Sequence, residues 1–448
     1  MNQPKWLSIL LVLLILTLAG CGTPTPAPSD ESTRNKEGDV SNTPYEPAPE
    51  TDDEIRRVVD DREYQRMLEY VKTYIPEETI VTRIRSEEGD PIACVKITAQ
   101  PALRRPGMED HQIQFQPESL PTGEELKPAE RESEGIQIYQ TGEMCPEETI
   151  PIRLPDIDVL VRFRTLEDYF QKIPSHLLGD EKIGGENFHV PRLGSTAGHQ
   201  YAVAFQSGQD NRGVESVINI WDPYTEKGSE FSLSQIWGSR GGGNNLETVE
   251  AGWQEYKDKY SSWSPRLFIY FTPDNYGNGG CYNLDCSGFV QVNNTVYIGG
   301  GFTNYSQDDG AQYVFKLMWF KDGTTGSWWL RYRDTWVGYY PRSLFDSNGL
   351  QDKADRFDYG GEIVDTRTDN RHTRTDMGSG YWPYQAFGKS AYHRAIRWVS
   401  TGNVYQQATG VTRVVTDDQC YDLDLLHSND SWEQYFYFGG SGYNTNCQ

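Results

Sequence analysis

Along the chain the spacing of apolar positions changes three times, and each change marks a different kind of structure. From Asp53 to Ile75, the residues Ile55, Val58, Val59, Met67, Leu68, Val71 and Ile75 recur close to every 3.6 positions. Pro76 ends the run, so the pattern predicts one amphipathic helix. Short extended pieces follow at Thr79–Arg85, Ala93–Thr98, Gln112–Gln116 and Glu147–Arg153, separated by Gly and Pro. With the helix they predict a small α+β domain over about 53–165. Residues 166–198 contain Pro174, Gly179, Gly184, Gly185 and Pro191 without sustained periodicity, which predicts a linker. From His199 onward short strands are expected at Tyr201–Phe205, Ser216–Trp221, Leu267–Thr272, Gly288–Gly299, Tyr313–Phe320, Trp328–Asp334, Ile363–Thr366 and Ala395–Ser400. Hairpin turns are expected at Asn293-Asn294 and around Lys321–Gly326. No helical pattern separates successive strands, so parallel crossover units are disfavoured and residues 199–448 are expected to form an antiparallel β-sandwich.

The first fifty residues follow other rules. Lys5 precedes an apolar run from Trp6 to Leu18 that is too short to span a bilayer, as in an export signal. Leu18-Ala19-Gly20-Cys21 resembles the bacterial lipoprotein box, in which small residues admit the signal peptidase and the cysteine thiol is acylated. The stretch from Gly22 to about Thr51 is Pro, Ser, Thr, Asn and acid, with too little apolar surface to order itself. The expected plan is a signal at 1–20, a tether at 21–52, the α+β domain, the linker and the sandwich. The protein is then exported to the bacterial cell envelope, touches the membrane only through its lipid, and is a monomer.

Charge and cysteine narrow the partners. The net charge is −24, and residues 1–190 hold 20 Lys and Arg against 36 Asp and Glu. Such a balance argues against nucleic acid and anionic membrane surfaces, which require clustered cations. Setting Cys21 aside leaves six cysteines, an even number in an exported chain. Closeness in sequence favours Cys281–Cys286 and Cys420–Cys447, which leaves Cys94 with Cys145.

Several chemistries have no residues to carry them. The sequence has no GxSxG elbow, P-loop, GxGxxG after a strand, or HExxH. His111, His176, His189, His199, His372, His393 and His427 form no ligand spacing, and each is read as a surface or packed residue. Neither a metal nor a cofactor is expected. Carboxylates remain, and two glutamates have unusual neighbours: Glu250 in Val-Glu-Ala-Gly-Trp-Gln and Glu362 in Tyr-Gly-Gly-Glu-Ile-Val. Gly and Ala beside an acid admit a second chain close to the backbone, and Trp253 and Tyr359 are expected to wall the acids with low dielectric.

Glu250-Ala-Gly-Trp-Gln, Gly280-Cys-Tyr-Asn-Leu-Asp-Cys-Ser-Gly-Phe-Val-Gln291, Gly338-Tyr-Tyr-Pro341, Gly360-Gly-Glu362, Met377-Gly-Ser-Gly380, Phe387-Gly-Lys389 and Tyr435-Phe-Tyr-Phe-Gly-Gly440 resemble, in order, the motifs of the neprosin catalytic domain. Ser86–Val95, Gln100–Leu103 and Cys145–Arg153 are similar to that family's activation peptide. The resemblance implies a secreted glutamic endopeptidase that cleaves proline-containing polypeptides after proline. It implies that Glu250 and Glu362 are catalytic, supports Cys281–Cys286 and Cys420–Cys447, and links Cys94 with Cys145. The chain departs from the family in its lipoprotein-like signal, in Tyr381-Trp-Pro383 and around Gly238–Asn245.

Two carboxyl groups in one cleft divide into an acid and a base, because like charges oppose double ionisation. Glu362 is expected to be the base and Glu250 the acid, on the strength of Trp253 alone. Acid should then favour activity and also loosen an acidic activation domain, with maturation cuts at Pro174 or Pro191. Two competing readings fit an aromatic sandwich with paired acids. One is a β-jelly-roll glycoside hydrolase, and the other is a non-catalytic, lipid-anchored carbohydrate-binding or adhesion module.

Overall fold

The computed structural model describes residues 59–123, 126, 128–172, 198–277, 279–367 and 371–448. Cys21, Pro174 and Pro191, with the expected signal and tether, lie outside the described residues.

The first helix occupies Asp61–Thr73, with the Asp60 side chain accepting from the Glu63 amide at its start. Asp61 and Glu63 in the first turn and Lys72 in the last suit the helix dipole. Strands β1 (Ile80–Arg85), β2 (Pro91–Lys96) and β4 (Thr149–Arg153) make a three-stranded antiparallel sheet in the order β1-β2-β4. The Cys94–Cys145 disulfide ties its middle strand to the segment before β4. Gln112–Gln116 is loop rather than strand: its backbone finds a side chain instead of a sheet, the Gln114 amide donating to the Tyr339 hydroxyl at 3.2 Å. Strand β3 (Glu132–Glu134) leaves this domain and runs parallel to a strand of the main sheet.

The main sheet comprises β5 (His199–Asn219), β6 (Phe231–Arg240), β7 (Glu247–Tyr256), β8 (Arg266–Thr272), β9 (Cys281–Tyr282), β10 (Val290–Gln291), β11 (Gln312–Lys321), β12 (Trp328–Tyr332), β13 (Thr335–Tyr340), β14 (Ala354–Val364), β15 (Ala391–Ser400), β16 (Tyr405–Gln407), β17 (Thr412–Val415), β18 (Asp422–His427) and β19 (Gln434–Gly439). Its main path is β10-β13-β12-β11-β5-β14-β6-β7-β8-β9, all antiparallel, with β15 and β17 also on β5. The two strands expected at Tyr201–Phe205 and Ser216–Trp221 largely coincide with the two halves of β5. In its first half Val203 lies opposite Gly360 and Val414; in its second, Ile218 lies opposite Phe315 and His393. One strand thereby serves four neighbours, and the sheet curls into a sandwich over a core that includes Ile236, Trp253, Trp319, Trp328, Tyr359 and Ile363.

The strand expected over Gly288–Gly299 shrinks to Val290–Gln291. The Asn293 side chain accepts from the amides of Thr295 and Val296, an Asx turn that ends pairing instead of reversing it into a hairpin. The Lys321–Gly326 hairpin does form, with Lys321 opposite Trp328. Disulfides close Cys281–Cys286 beside β9 and Cys420–Cys447 at the C-terminus.

Candidate active site

Side chains alternate along a strand, so paired residues and those two positions away share a face. Across β5, β14, β6, β7 and β8 this puts three rows on one face. The first is Phe205, Asp358, Trp237, Glu250 and Tyr270; the second Val203, Gly360, Gln235, Gly252 and Phe268; the third Tyr201, Glu362, Leu233, Gln254 and Arg266. Glu250 and Glu362 therefore stand diagonally on either side of the middle row. Glycines flank Gln235 in that row. A Cβ on Gly252 would come 1.9 Å from the Ser234 carbonyl oxygen, and one on Gly360, whose φ is +138°, 2.4 Å from that of Ala202. Close strand packing thus leaves Gln235 as the one side chain between the two acids in that row.

The third participant comes from the first domain. Leu166–Phe170, expected to be linker, form a helical turn capped by the Thr165 side chain, and Gln171 and Lys172 follow it into the interior. Five helical residues are too few to show a period in the sequence, which is why composition alone suggested a linker there. Lys172, 3% exposed, places its Nζ 2.6 Å from Glu250 Oε2, 2.6 Å from Glu362 Oε2 and 3.3 Å from Gln235 Oε1. The other Glu250 oxygen accepts from Thr248 Oγ1 at 2.8 Å and from the Tyr276 hydroxyl at 2.9 Å. Glu362 Oε1 lies 2.6 Å from His199 Nδ1, and its Oε2 also accepts from Gln235 Nε2 at 3.2 Å. The Tyr201 hydroxyl completes this set with a hydrogen bond to Glu362.

Electrostatics follow from that geometry. Burial by itself would raise the Glu362 carboxyl, but the Lys172 ammonium and the His199 hydrogen bond outweigh it and hold the group below the usual carboxylate range. Burial pulls the Lys172 ammonium down, yet the two glutamates carry it above its ordinary value. Tyr201 and Tyr276 are pushed far up by burial and then by the neighbouring glutamates, so both remain protonated donors.

The neprosin activation peptide model matches residues 83–205 and the neprosin model residues 228–441, together well over half the chain. The chain belongs to the neprosin family. A neprosin domain behind an activation peptide makes it a peptidase with an activation peptide, which sets aside the glycoside hydrolase and the binding module. Among solved structures, scytalidoglutamic peptidase with a peptide-based transition-state analogue is 12% identical with a TM-score of 0.30. SCP-B, a member of the eqolisin family of peptidases in complex with the tripeptide Ala-Ile-His, is 10% identical with a TM-score of 0.27. Each match covers 54% of this chain and 98% of the other, and neither is close enough to transfer a residue.

Within the neprosin domain, the two glutamate motifs have the same internal logic: each places a glycine two positions from its acid, hence on the same face. That alternation also corrects the expected aromatic walls. Trp253 and Tyr359 are odd-numbered steps from Glu250 and Glu362 and point into the opposite core, Trp253 Nε1 donating to the Asn219 carbonyl. The site is walled instead by Leu233, Phe268, Tyr270 and Tyr276, with Met67, Leu166 and Tyr169 of the activation domain in the same apolar cluster. His199, read as an ordinary packed or surface residue, is a partner of Glu362. Gln235 and Lys172 carried no motif; strand register reveals the first, and the docking of the segment after Phe170 the second.

The activation domain holds to the catalytic sheet by paired polar contacts. The Gln100 side chain accepts from the Gln291 amide at 2.8 Å and donates to its carbonyl at 3.0 Å, and Gln137 does the same with Tyr297 at 3.0 and 2.7 Å. Glu132 of β3 meets the Arg394 guanidinium and accepts from the Tyr392 hydroxyl. Asp90 pairs with Arg266, and Asp322 accepts from the Glu118 amide and the Ser119 hydroxyl.

Proposed function

We propose that this protein is a secreted, acid-active glutamic endopeptidase cleaving after proline, made as a proenzyme in which Lys172 closes the Glu250–Glu362 dyad. The observation that carries this reading is that two glutamates far apart in sequence converge on one ammonium, each at 2.6 Å. Two carboxylates brought so close repel unless a cation or a shared proton lies between them. In the proenzyme that cation is Lys172. Once it leaves, a shared proton is the remaining solution, and that is the state an acid–base pair requires.

Partner chemistry supports the division of labour. His199, Tyr201 and Gln235 offer Glu362 donors that do not depend on Lys172, which favours the ionised form and suits it to act as base. Glu250 faces the hydroxyls of Thr248 and Tyr276, which can accept as well as donate and so tolerate a protonated acid. Glu362 removes a proton from water as its oxygen bonds to the scissile carbonyl carbon. Glu250 gives its proton to the developing oxyanion, forming a gem-diol. On collapse the C–N bond breaks, Glu362 returns its proton to the leaving nitrogen and Glu250 regains one from the diol, restoring both groups. No covalent intermediate or cofactor takes part.

Anchoring through Cys21 would hold the proenzyme at the cell envelope, and cleavage at Pro174 or Pro191 would separate the catalytic domain from the lipid. The test is to mature the protein at acid pH and digest a mixed peptide library, reading by mass spectrometry the residue before each cut. Cleavage after proline is expected, and Glu250→Gln or Glu362→Gln should each lower kcat by at least about 10³-fold, since such pairs work as a unit. Wild-type turnover in a folded Glu362→Gln protein would overturn the dyad.

A further inference from the structure

We infer that Gln235 is a third catalytic residue, which orients the nucleophilic water between the two glutamates. The inference rests on the dyad reading above and deepens it. Lys172 Nζ is the atom that stands where both carboxylates converge. An ammonium carries three protons and accepts nothing, and here three acceptors surround it: Glu250 Oε2, Glu362 Oε2 and Gln235 Oε1. The amide orientation is set by the same chemistry. Gln235 Nε2 donates to Glu362 Oε2 at 3.2 Å, so its oxygen is the end that faces the cation.

A water taking the place of that ammonium has only two protons for three neighbours. It can donate to the ionised base Glu362 and to Gln235 Oε1, and then has nothing left for Glu250. The third contact is satisfied only if Glu250 itself carries a proton and donates it. Gln235 therefore does two things: it fixes the second O–H of the water so that a lone pair is free for the carbonyl, and it makes a protonated Glu250 the arrangement that leaves no acceptor unmet.

The surroundings fit a side chain committed to this task. Gln235 is 1% exposed, on the strand between those bearing the two acids. Its cross-strand neighbours in the same row are Gly252 and Gly360, so no other side chain in that row can take over its contacts. During attack one O–H bond of water breaks toward Glu362 and the C–O bond forms. The second proton stays on the new hydroxyl, still directed at Gln235 Oε1, and the substrate oxygen takes the proton of Glu250.

The experiment compares wild type, Gln235→Leu and Gln235→Glu, each expressed as the full proenzyme and matured by an immobilised wild-type enzyme that is then removed. Steady-state kinetics on a proline-containing peptide are read together with the inhibition constant of a peptidyl ketone that hydrates to a gem-diol. Gln235→Leu should lower kcat by about 10²–10³-fold, the scale of losing one polar contact made to the reacting atoms, while KM stays within about threefold. The affinity for the hydrated ketone should fall in parallel. Gln235→Glu keeps an acceptor toward the water but adds a third carboxylate, so it should retain more activity than the Leu variant and lose it more steeply as pH rises. A Leu variant that turns over within about threefold of wild type, or that loses activity through KM alone, overturns the proposal. Should the Leu variant not fold, a Glu variant with an unchanged pH profile overturns it equally. Glu250→Gln and Glu362→Gln are run beside these: if they are inactive while Gln235→Leu is not, only the role of Gln235 fails, whereas active glutamate variants remove the dyad itself.

Discussion

At Glu362 the balance of forces is decided by partners rather than by burial. A carboxyl this enclosed would be raised by desolvation, yet the Lys172 ammonium and the His199 hydrogen bond hold it low. Lys172 precedes both proposed cuts, at Pro174 and Pro191, and His199 follows them, so the His199 contribution should survive maturation. Removing it with His199→Ala takes away a donor that stabilises the anion, so the Glu362 carboxyl should rise. A base must be ionised to act, and the acid limb of kcat/KM against pH should therefore move upward in this variant. A limb that stays in place would show that His199 does not tune the base. The same scale explains why the residues nearest in sequence misled. Trp253 lies three positions from Glu250 and Tyr359 three from Glu362, and an odd step on a strand means the opposite face.

At the scale of elements, the turn Leu166–Phe170 and the two residues after it deliver a cation into the sheet. Replacing it by Lys172→Met leaves two buried carboxylates facing each other with no counter-charge, a cost of about 3–5 kcal/mol when one side of a buried pair is removed. That variant should shed its activation segment and cleave a fluorogenic peptide at neutral pH, where wild type stays latent; a neutral-pH preparation as silent as wild type would show that the lysine is no lock. Met67, wholly buried on the first helix within the apolar cluster that covers the site, should matter for a different reason. Met67→Ala empties packing volume and is expected to cost about 2–5 kcal/mol, seen as a lower unfolding midpoint of the proenzyme but not of the matured enzyme. The strands that carry this chemistry show the weakest period in the sequence. β6 and β7 escaped the hydrophobic pattern, and only the last residues of β14 were anticipated. Their site face bears Glu, Gln and Gly, yet it is buried under the activation domain, so neither the apolar run of a doubly covered strand nor clean alternation survives.

For the whole molecule, acid should act on the boundary between the two domains. Glu362 and Asp322 both contact the activation domain and both are held below their ordinary values, Asp322 because hydrogen bonds from Ser119, Thr324, Glu118 and Thr325 outweigh its burial. A depressed carboxyl stabilises the folded contact above its unfolded pKa, and that stability is lost as pH falls through the lower, folded value. Glu88, raised by burial beside Arg266, works the other way and softens the effect. A Glu250→Gln proenzyme, expected to be inactive, should accordingly resist limited proteolysis near neutrality and open only once the pH falls below the ordinary carboxylate range. An unchanged cutting pattern from neutral to strongly acid conditions would contradict this.

Local order fixed much of the plan in advance. Turn residues, cysteine spacing and the lack of helical periods after His199 are properties of neighbours in sequence, and they led to an antiparallel sandwich with disulfides at Cys94–Cys145, Cys281–Cys286 and Cys420–Cys447. Glu250 and Glu362 stood out only faintly through their small neighbours, and it was the resemblance of their motifs to those of the neprosin domain that marked them as catalytic candidates. What stands between those acids had no such mark. Gln235, His199 and Lys172 come from three separate stretches of chain, and only the register of β5, β14, β6 and β7 and the docking of the activation domain bring them within hydrogen-bond distance of the acids. Pairing across strands is a relation between distant residues, and one-dimensional periodicity contains no term for it.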